Sequence, residues 1–379
     1  MTPSANERLL SLDAFRGLTI AGMILVNNAG DWSHVFPPLQ HAAWNGWTLA
    51  DLIFPFFLFI VGVAMSFSFS RRLRQSDILQ PVYLQIIKRT LLLFVLGLLL
   101  NALYYIPGGL SLSILRIPGV LQRIAVVYFF ASFIIVKTSP KEQAFIATFL
   151  LLLYWLVMEL VPVPGYGAGV LTPQGNLAAY LDNLLLHGHL KENTWDPEGV
   201  LTTVPAISTT LFGGLAGHWL RSSRESYEKV VGLFVMGGIG LILGVVWGQF
   251  FPINKNLWTS SYVAFTTGMA LCFLGVCYWL IDLKGYRRWA APLVVLGVNA
   301  IAVYALSILL DRMISWWNLV LPDGSVVSCR TWIYEHLYAP WAGQWFGDMS
   351  ASFFYALTYM LLWFGLMGLF YRHKIFIRI

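Results

Sequence analysis

The chain has 379 residues, of which 58% are hydrophobic and only 11% charged. A soluble domain carries about 25% charged residues, so the composition excludes a soluble multidomain protein and points to a bilayer. The net charge of +6 would suit nucleic acid, but the Lys and Arg residues fall in short clusters between apolar runs. That pattern sets membrane topology, and no nucleic-acid partner is expected.

A helix needs about 20 mostly apolar residues to cross the hydrocarbon core. Such runs lie at 10–28, 49–70, 86–105, 119–136, 142–162, 200–220, 229–250, 259–282, 290–311 and 351–371. They predict an all-α polytopic membrane protein of about ten transmembrane helices, occupying 1–379 as one domain. Asp13 and Arg16 interrupt the first run early and no small-x-small cleavage site follows cleanly, so it reads as a retained span rather than a signal peptide. Basic residues then set the orientation. With the N-terminus inside, the inside segments hold Arg8, Arg71, Arg72, Arg74, Lys88 and Arg89 in the first half of the chain, and the C-terminal segment holds Arg372, Lys374 and Arg378. The outside gaps hold few, which predicts both termini in the cytoplasm. The 16 Trp and 17 Tyr suit the headgroup belts on both faces. The segment 176–186 has helical spacing but is too short to cross, and fits an interfacial helix. Cys272, Cys277 and Cys329 form neither a disulfide framework nor a metal knuckle.

An ionisable residue inside a span is costly and is a functional hypothesis by default. Asp13 and Arg16, three apart in S-L-D-A-F-R-G (11–17), share a helical face. They form either an interfacial ion pair or a place where Arg16 holds an anionic ligand. The first span ends in V-N-N-A-G-D (26–31), and His41 follows just before the second, flanked by Trp44 and Trp47. A histidine is the natural proton acceptor near neutral pH, and the Asn27 amide can donate to a developing oxyanion. A histidine beside two tryptophans can equally be an interfacial anchor. Asp51 stands at the entry of the second span with Thr48 as a possible cap, and Pro55 can kink the helix a turn deeper. Arg123 could pair with Asp51 or Asp311, or face a substrate. Asp196 and Glu198 could attract a cationic ligand, or Asp196 could cap a helix. Lys255 and Trp258 could contact a ligand, and Asn299 in the ninth span could contact a ligand or bridge helices. His187 and His189 have no third ligand at metal spacing, so no metal is expected.

Several long motifs in order carry a resemblance. They are R-L-L-S-L-D-A-F-R-G (8–17), H-A-A-W-N-G-W-T-L-A-D-L-I-F-P-F-F-L-F-I-V-G (41–62), R-I-P-G-V-L-Q-R (116–123), D-P-E-G-V-L-T-T-V-P-A-I (196–207), P-I-N-K-N-L-W-T-S-S-Y-V (252–263) and G-V-N-A-I-A-V-Y (297–304). Together they resemble heparan-alpha-glucosaminide N-acetyltransferase and its bacterial relatives over essentially the whole chain. The lysosomal members carry a luminal domain and an extra leading span with no counterpart here, so the expectation is a bacterial inner-membrane form. The resemblance implies transfer of acetyl from cytosolic acetyl-CoA to the amine of a glucosamine on the far side. It maps the family's active-site histidine onto His41 and its partner asparagine onto Asn27, and suggests a homodimer. Arg16, Arg71, Arg72, Lys88 and Arg89 then become candidates for the phosphates of acetyl-CoA; the alternative for the last four is a purely topogenic role. Substrate contacts are expected from Asp51, Arg123, Asp196, Glu198, Lys255, Trp258 and Asn299. Some bacterial relatives are labelled as transporters, so an amino-sugar transporter without chemistry and an O-acetyltransferase of an envelope glycan are the alternatives.

Overall fold

The computed structural model describes residues 9–73, 80–109 and 111–377, leaving out the side chains of 71–73 and 107. Helices stand at all ten predicted runs. They are α1 (Leu10–Asn27), α2 (Leu49–Leu73), α3 (Gln80–Ala102), α4 (Val120–Lys137) and α5 (Pro140–Leu160), then, after the short α6 (Leu177–Leu186), α7 (Thr203–Arg221), α8 (Ser226–Trp247) and α9 (Ser260–Cys277). The ninth run is broken into α10 (Ala291–Val298) and α11 (Ala300–Trp316), which meet at 81°. A two-stranded hairpin, β1 (Asn318–Val320) with β2 (Val326–Ser328), α12 (Cys329–Leu337) and a single turn α13 (Gln344–Phe346) fill the last long loop before α14 (Asp348–Arg372).

Among the described residues, eight helices are long and apolar enough to cross a bilayer, or nine if the bent pair counts as one span. The remaining run, 200–220, is α7, which is long enough but rich in Thr, Ser and Gly. Its surroundings explain the composition. Thirteen of its nineteen residues are buried, because α2, α4, α5 and α9 surround it. A helix shielded from lipid need not be lipid-like. Its hydroxyls instead bridge to neighbours, Thr210 donating to the Leu58 carbonyl (3.2 Å) and Ser208 to that of Ala147 (3.0 Å). The lipid-facing helices α3, α5, α8 and α14 are the reverse, apolar all round and largely uncovered.

Glycine permits the closest crossings. A Cβ on Gly62 of α2 would lie 1.9 Å from the Thr210 carbonyl oxygen of α7, and one on Gly213 of α7 would lie 2.0 Å from that of Phe59. Any side chain there would force the two helices apart.

Candidate active site

Pro55 sits in the second turn of α2, and the helix continues through it. Its missing N–H frees the carbonyl of Asp51, four residues back. The Tyr262 hydroxyl of α9 takes that carbonyl at 2.5 Å, so no buried acceptor is left open. The helix is unbroken at Pro55, and the freed carbonyl ties α2 to α9.

The Asp51 side chain, 1% exposed, organises the loop that precedes α2. Its Oδ2 accepts the backbone N–H of Ala42 (3.0 Å) and of Thr48 (3.1 Å), the latter as the third helical residue reaching back to the residue before the helix. Its Oδ1 accepts from His41 Nδ1 at 2.7 Å. Asp51, expected as a substrate contact, touches the histidine and the loop here and is not among the residues lining the cavity described below. An ionised carboxylate only accepts, so the proton of neutral His41 belongs on Nδ1. The lone pair is then on Nε2.

A second loop brings Lys255 to the same place. Asn254 accepts the Leu257 N–H (2.9 Å) with its side chain and donates to Asn45 (3.1 Å), while Gly46 N–H bonds the Ile253 carbonyl (2.7 Å). These bonds lock 252–259 against 42–48. Trp258 takes φ +49°, which bulky residues rarely adopt. Its indole is buried, donating to Thr209 (3.2 Å) under the Arg123 guanidinium. Lys255 Nζ ends 3.3 Å from Asp51 Oδ1, 2.9 Å from His41 Nδ1 and 3.2 Å from Nε2. Because protonated Nδ1 cannot accept, the acceptors left to the lysine are Asp51 and Nε2. Burial holds the Lys255 ammonium below its ordinary range, with Asp51 pulling the other way.

His41, Lys255 and Asn27 open on a cavity of about 760 Å³, bounded by α1, α2, α3, α4, α11 and the loops at that end. That volume falls within the range of about 300–1,000 Å³ typical of small-molecule sites. The Asn27 amide makes no hydrogen bond to the described residues and lines this space. Glu198 also lines it and pairs with Arg116 at 2.6 Å. Burial alone would raise the Glu198 carboxyl, but Arg116 and then Arg123 outweigh it and hold it below the usual range.

Three other expected contacts lie elsewhere. Asp196 is buried and saturated, taking both arms of Arg116 (2.6 and 2.8 Å) and the N–H groups of Lys191 and Glu198 (both 2.9 Å). Arg123 pairs with neither Asp51 nor Asp311; it stacks on Trp258 and donates to the Thr202 hydroxyl and the Gly199 carbonyl. Trp258 packs beneath it. All three support loops instead of lining the cavity. Arg116 was not among the expected site residues, although it opens the R-I-P-G-V-L-Q-R motif. Its signal was a cation next to a span with two acidic residues in a later loop.

A smaller cavity of about 240 Å³ lies towards the other end of the same helices. Arg16 and Arg89 line it; Arg16 also bonds Asp13 (3.2 Å) and the Gly297 carbonyl (3.3 Å), and Arg89 lies over the Tyr128 ring. Lys88, one position along α3, is exposed outside it. The side chains of Arg71 and Arg72 lie outside the described residues. Asn299 sits in the break between α10 and α11 and contacts neither cavity; its amide donates to the Ile375 carbonyl (3.3 Å) and accepts the Ile377 N–H (3.0 Å). It clasps the segment after α14, whose Ile377 reaches the smaller cavity.

The sequence pattern of the family described as "Heparan-alpha-glucosaminide N-acetyltransferase, catalytic" matches residues 8–242, which include His41, Asn27, Asp51 and Glu198. The chain belongs to this family. Similar proteins include the heparan-alpha-glucosaminide N-acetyltransferase of Mus musculus, 32% identical over 79% of this chain, and that of Homo sapiens, 33% identical over 78%. The aligned part covers 53% and 52% of those relatives, so the chain spans about half their length. Lys255 lies beyond the matched family segment.

Proposed function

We propose that this protein moves the acetyl group of acetyl-CoA from the cytoplasmic side of a bacterial inner membrane to the amine of a glucosamine-type sugar on the opposite side. The observation that carries this reading is the arrangement of His41. Its Nδ1 is fixed by buried Asp51, its ring lines a cavity large enough for a sugar, and the unpaired Asn27 amide lines the same space. The name and reaction of its relatives support the acetyl donor. Acetyl-CoA is polyanionic and does not cross lipid. The smaller cavity, with Arg16 and Arg89, suits its phosphate-bearing end. About one helical turn separates the two cavities on α2 (Phe54 and Phe57), α4 (Leu121 and Ile124) and α11 (Tyr304 and Ile301). A pantetheine arm passing that wall delivers its thioester to His41 while the nucleotide stays inside.

The acceptor ammonium first releases one proton to the water of the cavity; its neutral amine then attacks the thioester carbonyl, His41 Nε2 takes a second proton from that nitrogen and returns it to the departing thiolate, and Asn27 donates to the carbonyl oxygen. Glu198 lies in position to draw a cationic amino sugar into the cavity.

The test is transfer of radiolabelled acetyl from acetyl-CoA to glucosamine by the purified protein. Wild type is expected to label the sugar, and His41→Ala to lose roughly 10²–10⁴-fold of the rate. No transfer and no binding of acetyl-CoA by a folded sample would sink the proposal and favour a transporter.

A further inference from the structure

Lys255 brings a primary amine to the imidazole that the mechanism uses as its base. Its Nζ is 2.9 Å from His41 Nδ1, whose proton goes to Asp51, and 3.2 Å from Nε2, the one basic nitrogen of the ring; it is also 3.3 Å from the same Asp51 that orients that ring. It lines the cavity that holds the acceptor in the proposed function. Burial also favours its uncharged form. Other charged groups near this point are already matched: Glu198 by Arg116 (2.6 Å), and Lys191 by Glu192 (3.7 Å). Lys255 is thus an amine placed against the catalytic base and within reach of whatever acyl group arrives there.

We infer that Lys255 is a self-acetylation site, modified by the protein's own acetyl donor when no sugar fills the cavity. The inference rests on the acetyltransferase reading above. The ammonium first releases one proton to the water of the cavity. The Nζ lone pair then attacks the thioester carbonyl of acetyl-CoA while His41 Nε2 removes a second proton. The new C–N bond forms as the C–S bond breaks, and His41 returns its proton to the thiolate. The products are an Nζ-acetyl-lysine, free coenzyme A and one released proton. No oxidant or further reactant is needed.

The amide that results is stable and uncharged. It removes the cation that neutralises Asp51 and leaves an acetyl group where the sugar amine must sit. Self-acetylation is therefore a dead end that shuts the enzyme off when donor is present without acceptor. An incoming sugar protects, because its amine displaces the lysine from Nε2.

The experiment incubates the intact detergent-purified protein with acetyl-CoA, with and without saturating glucosamine. Peptide mass spectrometry then locates any added acetyl group, and residual transfer activity is followed in parallel. A single acetyl group on the peptide carrying Lys255, suppressed by glucosamine and accumulating as activity falls, is the expected result. His41→Ala should slow it by roughly 10²–10⁴-fold. Lys255→Arg, which keeps a cation but reacts poorly, should show no donor-dependent decline from its own starting rate, whatever that rate is. Acetylated glucosamine with Lys255 unmodified would overturn the inference and leave the transferase intact. Modification at the same rate in His41→Ala and unaffected by glucosamine would mean uncatalysed acetylation and would also overturn it. Neither glucosamine nor Lys255 acetylated, in folded protein, would bring down the transferase reading itself.

Discussion

Asp51 decides which nitrogen of His41 is basic. Its oxygens accept from three backbone or hydroxyl groups of the loop as well as from Nδ1. Asparagine at this position is nearly the same shape but has one acceptor and one donor end. The two loop N–H groups compete for its oxygen, which leaves the NH₂ facing Nδ1. Nδ1 must then accept, and the ring proton moves to Nε2, where it blocks proton abstraction. Asp51→Asn should therefore fold and bind acetyl-CoA as wild type does, yet lose roughly 10²–10⁴-fold in kcat for transfer. Donor affinity measured beside the turnover rate separates this outcome from misfolding; retention of kcat would remove Asp51 from the mechanism. The part of this site legible in the sequence was local. His41 and Asn27 stood in a motif before the second span, and Asp51 lay ten residues on. The place of Lys255, 214 positions away, depends on a loop locked by Asn254 and Gly46, and no periodicity encodes such a contact.

The segment before α7 is built around α6. Asp182 of α6 accepts the Val200 N–H at 2.8 Å and the Asp196 N–H at 3.4 Å, holding the loop that presents Glu198. Gly199 lies so close that a Cβ would be 1.9 Å from Asp182 Oδ2. Gly199→Ala should push the loop off α6, lowering stability by about 1–3 kcal/mol and weakening sugar binding through Glu198. Thermal unfolding and the KM for glucosamine would report the two effects. A normal KM would detach Glu198 from the acceptor. Burial also raises the Asp182 carboxyl to about 6 from 3.8. A raised carboxyl binds its proton more tightly in the folded state, so its contribution falls as pH rises. Stability from this group should be greatest below pH 4 and should decline until about pH 6. Comparison of melting between pH 5 and 7 for wild type and Asp182→Asn isolates it; an identical pH dependence in both would contradict the assignment. Element existence was readable here from the helical spacing of 176–186, which the structure shows as α6 with Asn176 as its N-cap. The packing that selects glycine at 199 was not, since it depends on a side chain seventeen residues earlier.

At the scale of the molecule, the apolar runs were legible because lipid imposes a length and a composition on anything it touches. The rule weakens where a helix touches only protein. This is why α7 is polar for a span, and why α12 and the β1–β2 hairpin, lying in a loop with no lipid constraint, left no clear mark. The break at Asn299 was hidden for a similar reason. A buried amide can bridge helices or clasp a chain end, and the sequence does not say which. What the assembled bundle adds is a pair of cavities, on the same helices, whose linings are about one turn apart. If donor and acceptor meet across the wall between them, filling it should stop transfer without touching either binding end. Ile301 lines the smaller cavity and Tyr304, one turn on, the larger. Ile301→Trp places a larger ring between them, while Arg16, Arg89 and His41 keep their own partners. Coenzyme A without its acetyl group should still bind, because its phosphates stay on the near side, whereas acetyl transfer should fall by roughly 10²-fold as the thioester is held short of His41. Proteoliposomes carrying glucosamine inside and labelled acetyl-CoA outside read both quantities in oriented protein. Unchanged transfer by this variant would mean that the acetyl group reaches His41 by a route other than across this wall.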